Sequence, residues 1–229
     1  MTPVAVRKAG SEERGRTLPV RWVVAGGVVV LALLLAGVVA VASARGEEEP
    51  RVPGVDSADA GFARDMAVHH QQAVEMSFIV RDRTDDKDVR RLAYDIANTQ
   101  ANQRGMLLGW LDLWQLPKVA PDGAGPMAWM ENEGGHGDHE AGSAAAMPGM
   151  ASEEELVRLG SLRGEEAEVF YLQLMTDHHQ GGVPMAEACA SLCAVPAEKR
   201  LAAGMVEGQQ SELRLMRDML ADRGAKPRT

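Results

Sequence analysis

A chain of 229 residues carrying 33 Asp and Glu against 24 Lys and Arg has a formal net charge of −9, which argues against nucleic-acid binding through a basic patch. Its length suits one or two domains with a sizeable core. Aromatic residues make up only 4%, while Ala, Leu, Val and Met are plentiful, a balance that favours helices over a β-sandwich.

Residues 1–21 are polar and include Arg7, Lys8, Arg14, Arg16 and Arg21. Trp22 to Ala44 is an uncharged run of mostly Val, Leu and Ala. At about 1.5 Å per residue it is long enough to cross a bilayer core of about 30 Å. Basic residues before it and Glu47-Glu48-Glu49 after it predict a single-pass protein of the cell membrane. Its parts would be a cytoplasmic tail (1–21), a transmembrane helix (22–44) and an extracytoplasmic remainder. The alternative is a cleaved signal sequence, since Ala42-Ser43-Ala44 fits a cleavage site, although the apolar run is longer than signal peptides use. Both readings give the same compartment.

Residues 45–55 form a charged linker containing Pro and Gly. A first helix is expected over about 57–83, capped by Asp56 or Ser57. Phe62, Met66, His69, Ala73, Met76 and Val80 fall at steps of three and four on one face. Asp85-Asp86 reads as a turn and cap before a second helix, about 87–114, which Pro117 closes. Residues 117–151 follow no helical or strand period, and loops of that length are commonly functional or disordered. This one carries Met127, Met130, His136, His139, Met147 and Met150, a flexible tract of possible soft-metal ligands. Ser152 and Glu155 form a capping box, and Gly160 and Gly164 separate a short lead helix from a main one at about 165–192. Pro196 suits the first turn of a last helix ending near Asp222, leaving a tail at 223–229.

Two segments repeat at one constant offset. Met66, His69, His70 and Met76 return as Met175, His178, His179 and Met185, and Leu92, Gln100, Gln103 and Leu111 match Leu201, Gln209, Glu212 and Leu220. The duplication covers a whole helix pair, and two hairpins apolar on one face bury those faces best against each other. The expected fold is therefore all-α, a four-helix bundle over 56–222 with approximate two-fold symmetry. On a helix the repeated His and Met share a face, and the small Ala73, Gly181 and Gly182 leave room for helices to approach. Gln100, Gln103, Gln209 and Glu212 are placed to hydrogen-bond the imidazoles, either as outer partners that fix ligand tautomers or as members of a purely structural polar core. The di-iron pattern of Glu and Glu-x-x-His is not completed by Glu75 and Glu212. Imidazoles with thioethers in an oxidising compartment point to copper, Cu(I) most naturally.

These residues resemble the domain of unknown function 305 proteins of bacteria. The resemblance rests on His69-His70-Gln71-Gln72-Ala73-Val74-Glu75-Met76 and His178-His179-Gln180-Gly181-Gly182-Val183-Pro184-Met185. It also uses Met147-Pro148-Gly149-Met150, and Gln209 with Glu212 and Met216. It spans about residues 56–222, and implies a ferritin-like four-helix fold and, for some members, extracytoplasmic copper binding. Gly182 departs from the motif's Ala, and Pro184 is expected to kink the helix just past the second His pair.

Cys189 and Cys193 stand four apart near the end of the third main helix. A structural disulfide pinning that end is the expected reading, which implies a frayed or turning terminus, and copper thiolates or two buried free thiols are the alternatives. The chain shows no nucleophile–base pair and no phosphate loop. Its expected function is a membrane-anchored, extracytoplasmic metal-binding protein, with copper as the metal, in metal tolerance or trafficking. The alternative is a structural or sensory bundle whose His pairs form a hydrogen-bonded polar core.

Overall fold

A computed structural model of the protein describes residues 52–121, 125–131 and 147–228, which are helices and turns without strands. The expected membrane span at 22–44, the tail at 1–21, and His136 and His139 lie outside the described residues. Among the described residues no helix is long and apolar enough to cross a membrane.

Among the described residues six helices follow in order: α1 (Ala58–Arg81), α2 (Lys87–Leu113), the single-turn α3 (Ala128–Glu131), α4 (Glu153–Ser161), α5 (Gly164–Leu192) and α6 (Pro196–Asp222). Each boundary has a local chemical cause. Ser57 Oγ accepts the Ala60 N–H at 3.2 Å to start α1. Asp86 Oδ1 accepts the N–H groups of Asp88 and Val89, at 3.1 and 2.9 Å, to start α2. The Ser152–Glu155 capping box is formed in both directions. Gly164, at φ +56°, makes the bend between α4 and α5 that glycine tolerates best. The helix α5 runs on through Pro184, which is exposed, as is Gln180, whose carbonyl loses its donor there.

The hairpin α1–α2 packs on the hairpin α5–α6 along α1 and α5. Their interior divides into two apolar clusters. One gathers Met76, Ile96, Leu172, Met175 and Met216, and the other gathers Phe62, Met66, Leu107, Met185 and Met205. Met66 thus shares a cluster with Met185, and Met76 with Met175. The helices α1 and α5 are therefore antiparallel, with the His pairs at matching heights. On every long helix the interval between the clusters holds the polar residues: His69 and His70, Gln100 and Gln103, His178 and His179, Gln209 and Glu212. The core is two apolar halves with a polar layer between them.

One end of the bundle is locked by charge. Glu168 of α5 accepts from the Thr84 hydroxyl in the α1–α2 turn and from Arg223 Nε at 2.8 Å. Arg223 also reaches Asp86 Oδ1 at 3.3 Å, and the Gly164 N–H bonds the Arg83 carbonyl at 2.8 Å. Glu168 is 7% exposed, so removing its cation leaves a nearly buried carboxylate. Arg223→Ala is expected to destabilise the fold by about 3 kcal/mol, read as a lower denaturant midpoint at unchanged slope. An unchanged midpoint would remove Arg223 from this role.

Candidate metal centre

The four imidazoles of the polar layer are at most 1% exposed. Each presents Nε2 to an acceptor. His70 donates to Gln103 Oε1 at 2.8 Å, and His179 donates to the Glu212 carboxylate at 2.6 Å. These two bonds occupy equivalent positions in the two hairpins. The inner pair is bonded differently: His178 Nε2 donates to the backbone carbonyl of His69 at 2.9 Å, and His69 Nε2 to that of Pro148 at 3.2 Å. The His69 and His178 rings lie 3.7 Å apart, centre to centre, tilted by 34°.

A neutral imidazole that donates from Nε2 holds a lone pair at Nδ1. The Nδ1 atoms of His69, His70, His178 and His179 are all buried, and none meets a hydrogen-bond partner in the protein. Four orphaned acceptors in one layer are costly, because a buried polar group is ordinarily paired. Burial, chiefly, lowers the pKa of His69 to about 4 and of His70 to about 3, and neighbouring imidazoles push in the same direction. His178 is lowered well below its usual value for the same two reasons. At His69, His70 and His178 the layer therefore offers neutral imidazole lone pairs rather than imidazolium charges.

Of the expected outer partners, Gln103 and Glu212 bond the imidazoles, whereas Gln100 and Gln209 do not. Both amide atoms of Gln100, and Oε1 of Gln209, have no partner. Gln209 instead lies against Gly182, where a Cβ would come within 2.7 Å of its Oε1 and 3.1 Å of His69 Cε1. The small residue at 182 is what lets an amide and an imidazole meet α5 at this height.

Gly181 has another purpose than helix approach. A Cβ there would stand 1.9 Å from the Pro148 carbonyl oxygen, and one at Gly149 would stand 2.2 Å from the Asp177 carbonyl oxygen. The Met147–Met150 tract is thus pressed onto α5 beside the His pair. Gln72 holds it there with two bonds to the backbone of Ala151, at 2.8 and 2.7 Å. Sequence reasoning missed both the Pro148 and His69 carbonyls, because backbone acceptors leave no mark in composition. The paired glycines 149 and 181 were the available signal.

The thioethers of Met66, Met76, Met175 and Met185 are fully buried, two on each side of the layer. The described parts of the long loop are packed on the bundle. Met147 is buried, and Met127, Met130 and Met150 pack against the cluster that holds Met66. The Asp65 carboxylate accepts both the Met127 N–H and the Trp129 indole N–H, at 2.8 and 2.9 Å, which fastens this part of the loop to α1. Among the described residues no three imidazoles bring ring nitrogens within 4.8 Å of one another, so a three-histidine centre is not assembled. Cys189 and Cys193 are joined in a disulfide.

The family Domain of unknown function (DUF305) matches residues 59–220 of the chain. Among solved structures, a DUF305 protein from Streptomyces coelicolor is 64% identical, with a TM-score of 0.69, over 77% of this chain and 99% of that one. A DUF305 fragment from Deinococcus radiodurans is 33% identical, with a TM-score of 0.57, over 72% of this chain and 96% of that one. CopM in its Cu(I)-bound form is 19% identical, with a TM-score of 0.54, over 72% of this chain and 96% of that one, a likeness of fold. No curated protein matches the chain.

The buried imidazoles set a pH dependence. Their ordinary pKa is 6.5, and in the fold His69 and His70 protonate only near about 4 and about 3. Between those limits the unfolded chain binds more protons than the native one, so stability falls as pH falls. The metal-free protein should show a melting temperature that is level above about pH 7 and declines from pH 6.5 towards 4. Replacing His69 and His70 by Gln should flatten that decline. An equally steep decline in the variant would show that His69 and His70 do not cause it.

Proposed function

The chain belongs to the DUF305 family, and we propose that within it this protein binds copper, Cu(I) most naturally, in metal tolerance or trafficking. The observation that carries the reading is the set of four buried Nδ1 lone pairs without partners. Orphaned imidazole nitrogens in a buried layer are suited to a borderline or soft cation, and the adjoining thioethers narrow the choice to a soft one. His69 and His178 are the inner ligands of this reading, with His70 and His179 beside them. Met66, Met76, Met175 and Met185 supply sulfur from the layers above and below. Because no three ring nitrogens converge, the set suits the low coordination numbers and thioether ligation of Cu(I) better than an all-nitrogen zinc site. CopM, which shares the fold, is solved in Cu(I)-, Cu(II)- and Ag-bound forms, and this supports the choice of metal.

The outer partners fit the same role. Gln103 and Glu212 fix the Nε2–H tautomer of His70 and His179 and so keep Nδ1 free for a cation. The proposal also places the bundle outside the cytoplasm, tethered by the apolar run at 22–44. Support for that part is the run itself, with Arg before it and Glu after it. A second reading, a structural or sensory bundle with a hydrogen-bonded polar core, is favoured by the fact that all four Nε2 atoms already have partners.

Anaerobic titration of the full-length protein with Cu(I) against a competing chelator, with the disulfide intact, separates the two. The variant with His69, His70, His178 and His179 changed to Ala should lose Cu(I) binding while circular dichroism still shows a helical bundle. Equal affinity in the variant would sink the copper reading and leave the polar-core one. Glu212→Gln gives His179 the partner that His70 already has, and should weaken Cu(I) binding about tenfold without abolishing it. Unaltered affinity would deny Glu212 any part in the site.

A further inference from the structure

A second constellation lies at the end of α5, away from the polar layer. Cys189 is in the last turn of that helix and Cys193 follows its end. Their Cα atoms are 4.8 Å apart, within the range disulfides use. Cys193 has left the helix, at φ −59° and ψ 143°, which is how two residues four apart come to pair. Glu198, in the first turns of α6, is fully buried, and its carboxyl oxygens accept no N–H or O–H donor from the protein. One ligand atom from each of Cys189, Cys193 and Glu198 lies within 4.8 Å of the others.

The neighbouring carboxylate is already committed. Asp59, at the start of α1, accepts the N–H of Ala194 twice, at 2.9 and 3.1 Å, and that of Val195 at 2.7 Å. It pins the turn between α5 and α6 and stands beside the Glu198 carboxyl. Burial first, then the Asp59 charge and a side-chain hydrogen bond with Asp59, raise the Glu198 carboxyl pKa to about 9, so beside the intact disulfide it is a neutral acid. It stands against the two sulfurs, so three potential ligand atoms converge on one buried point.

We propose that the Cys189–Cys193 disulfide masks a second metal site, in which two cysteine thiolates and the Glu198 carboxylate hold a zinc-class cation once the disulfide is reduced. A disulfide sulfur is a poor ligand and a thiolate a strong one, so binding is gated by redox state. A dithiol reductant supplies the switch: its two thiols are oxidised to a disulfide, and two electrons and two protons pass to the sulfurs of Cys189 and Cys193. A divalent cation then displaces both thiol protons and the Glu198 proton, releasing three protons and leaving a complex of net charge −1. Two sulfurs and one carboxylate oxygen are an accepted zinc donor set with one position left over. The site is independent of the repeated His motif, because Val80 and Thr84 occupy the matching places in the first hairpin.

Cadmium(II), added alone, is the probe, since thiolate ligation gives it an ultraviolet charge-transfer absorption. Full-length protein is reduced with a phosphine, freed of it by anaerobic desalting, and titrated beside the oxidised form. The reduced protein should bind one additional equivalent and develop the absorption, and the oxidised protein should show neither. Glu198→Gln leaves the cysteines and side-chain volume unchanged, and should weaken that binding at least tenfold. The proposal is overturned if reduction adds no cadmium, as a purely structural disulfide requires, or if Glu198→Gln binds as tightly as the parent. The copper titration at the histidines keeps the disulfide intact, so either result stands without the other.

Discussion

Everything in this bundle is arranged around a layer of polar side chains that an all-helical core would otherwise reject. Apolar burial drives the two hairpins together, and the two clusters that result are made of ordinary core residues with many methionines. The layer between them pays no such return. Four imidazoles there can be tolerated only if their N–H groups find acceptors, and each Nε2 does. The opposite nitrogens find none. A core polished for stability alone would have replaced these rings with leucine or paired both nitrogens. Four one-sided imidazoles are the layer's departure from such a core, and the copper proposal rests on them.

The layer also explains the loop that crosses it. The Met147–Met150 tract touches α5 through two glycines, 149 and 181, that face opposite backbones across the contact. Its carbonyl at Pro148 supplies the acceptor that His69 requires. The second hairpin has no equivalent need, because His178 takes the carbonyl of His69 itself. One connecting segment therefore breaks the two-fold relation between otherwise matched half-layers. The sequence departures at Gly182 and Pro184 are less disruptive: the glycine admits Gln209, and the proline sits exposed in a helix that continues past it.

What could be read from the chain and what could not divides along physical lines. Helix positions were legible because their causes are local: Ser57, Asp86 and Ser152 cap, Gly164 bends, Pro196 starts, and the apolar residues recur at steps of three and four. The height of the His pairs was legible because the motif is repeated. The assignment of Gln100 and Gln209 to the imidazoles was not secure, since helix phase alone does not say which of two nearby amides reaches a ring. The loop was the least legible part. Met127 and Trp129 are ordered by the single carboxylate of Asp65, a long-range contact that no periodic pattern announces. Glu198 escaped notice for a like reason, as an acidic residue in the first turn of a helix is ordinarily a surface charge favoured by the helix dipole.

The remaining asymmetry is electrostatic. His70 is held by an amide and His179 by a carboxylate, at equivalent positions and similar distances. An amide oxygen offers only a dipole to a cation in the layer, whereas Glu212 offers a full negative charge one imidazole away. In a medium of low dielectric that difference grows, and it is screened less than the same charge would be at the surface. A cation bound near His179 would therefore leave the layer closer to neutral than one bound near His70. The two half-layers are alike in shape and unlike in charge, and charge decides which of them a lone cation would prefer.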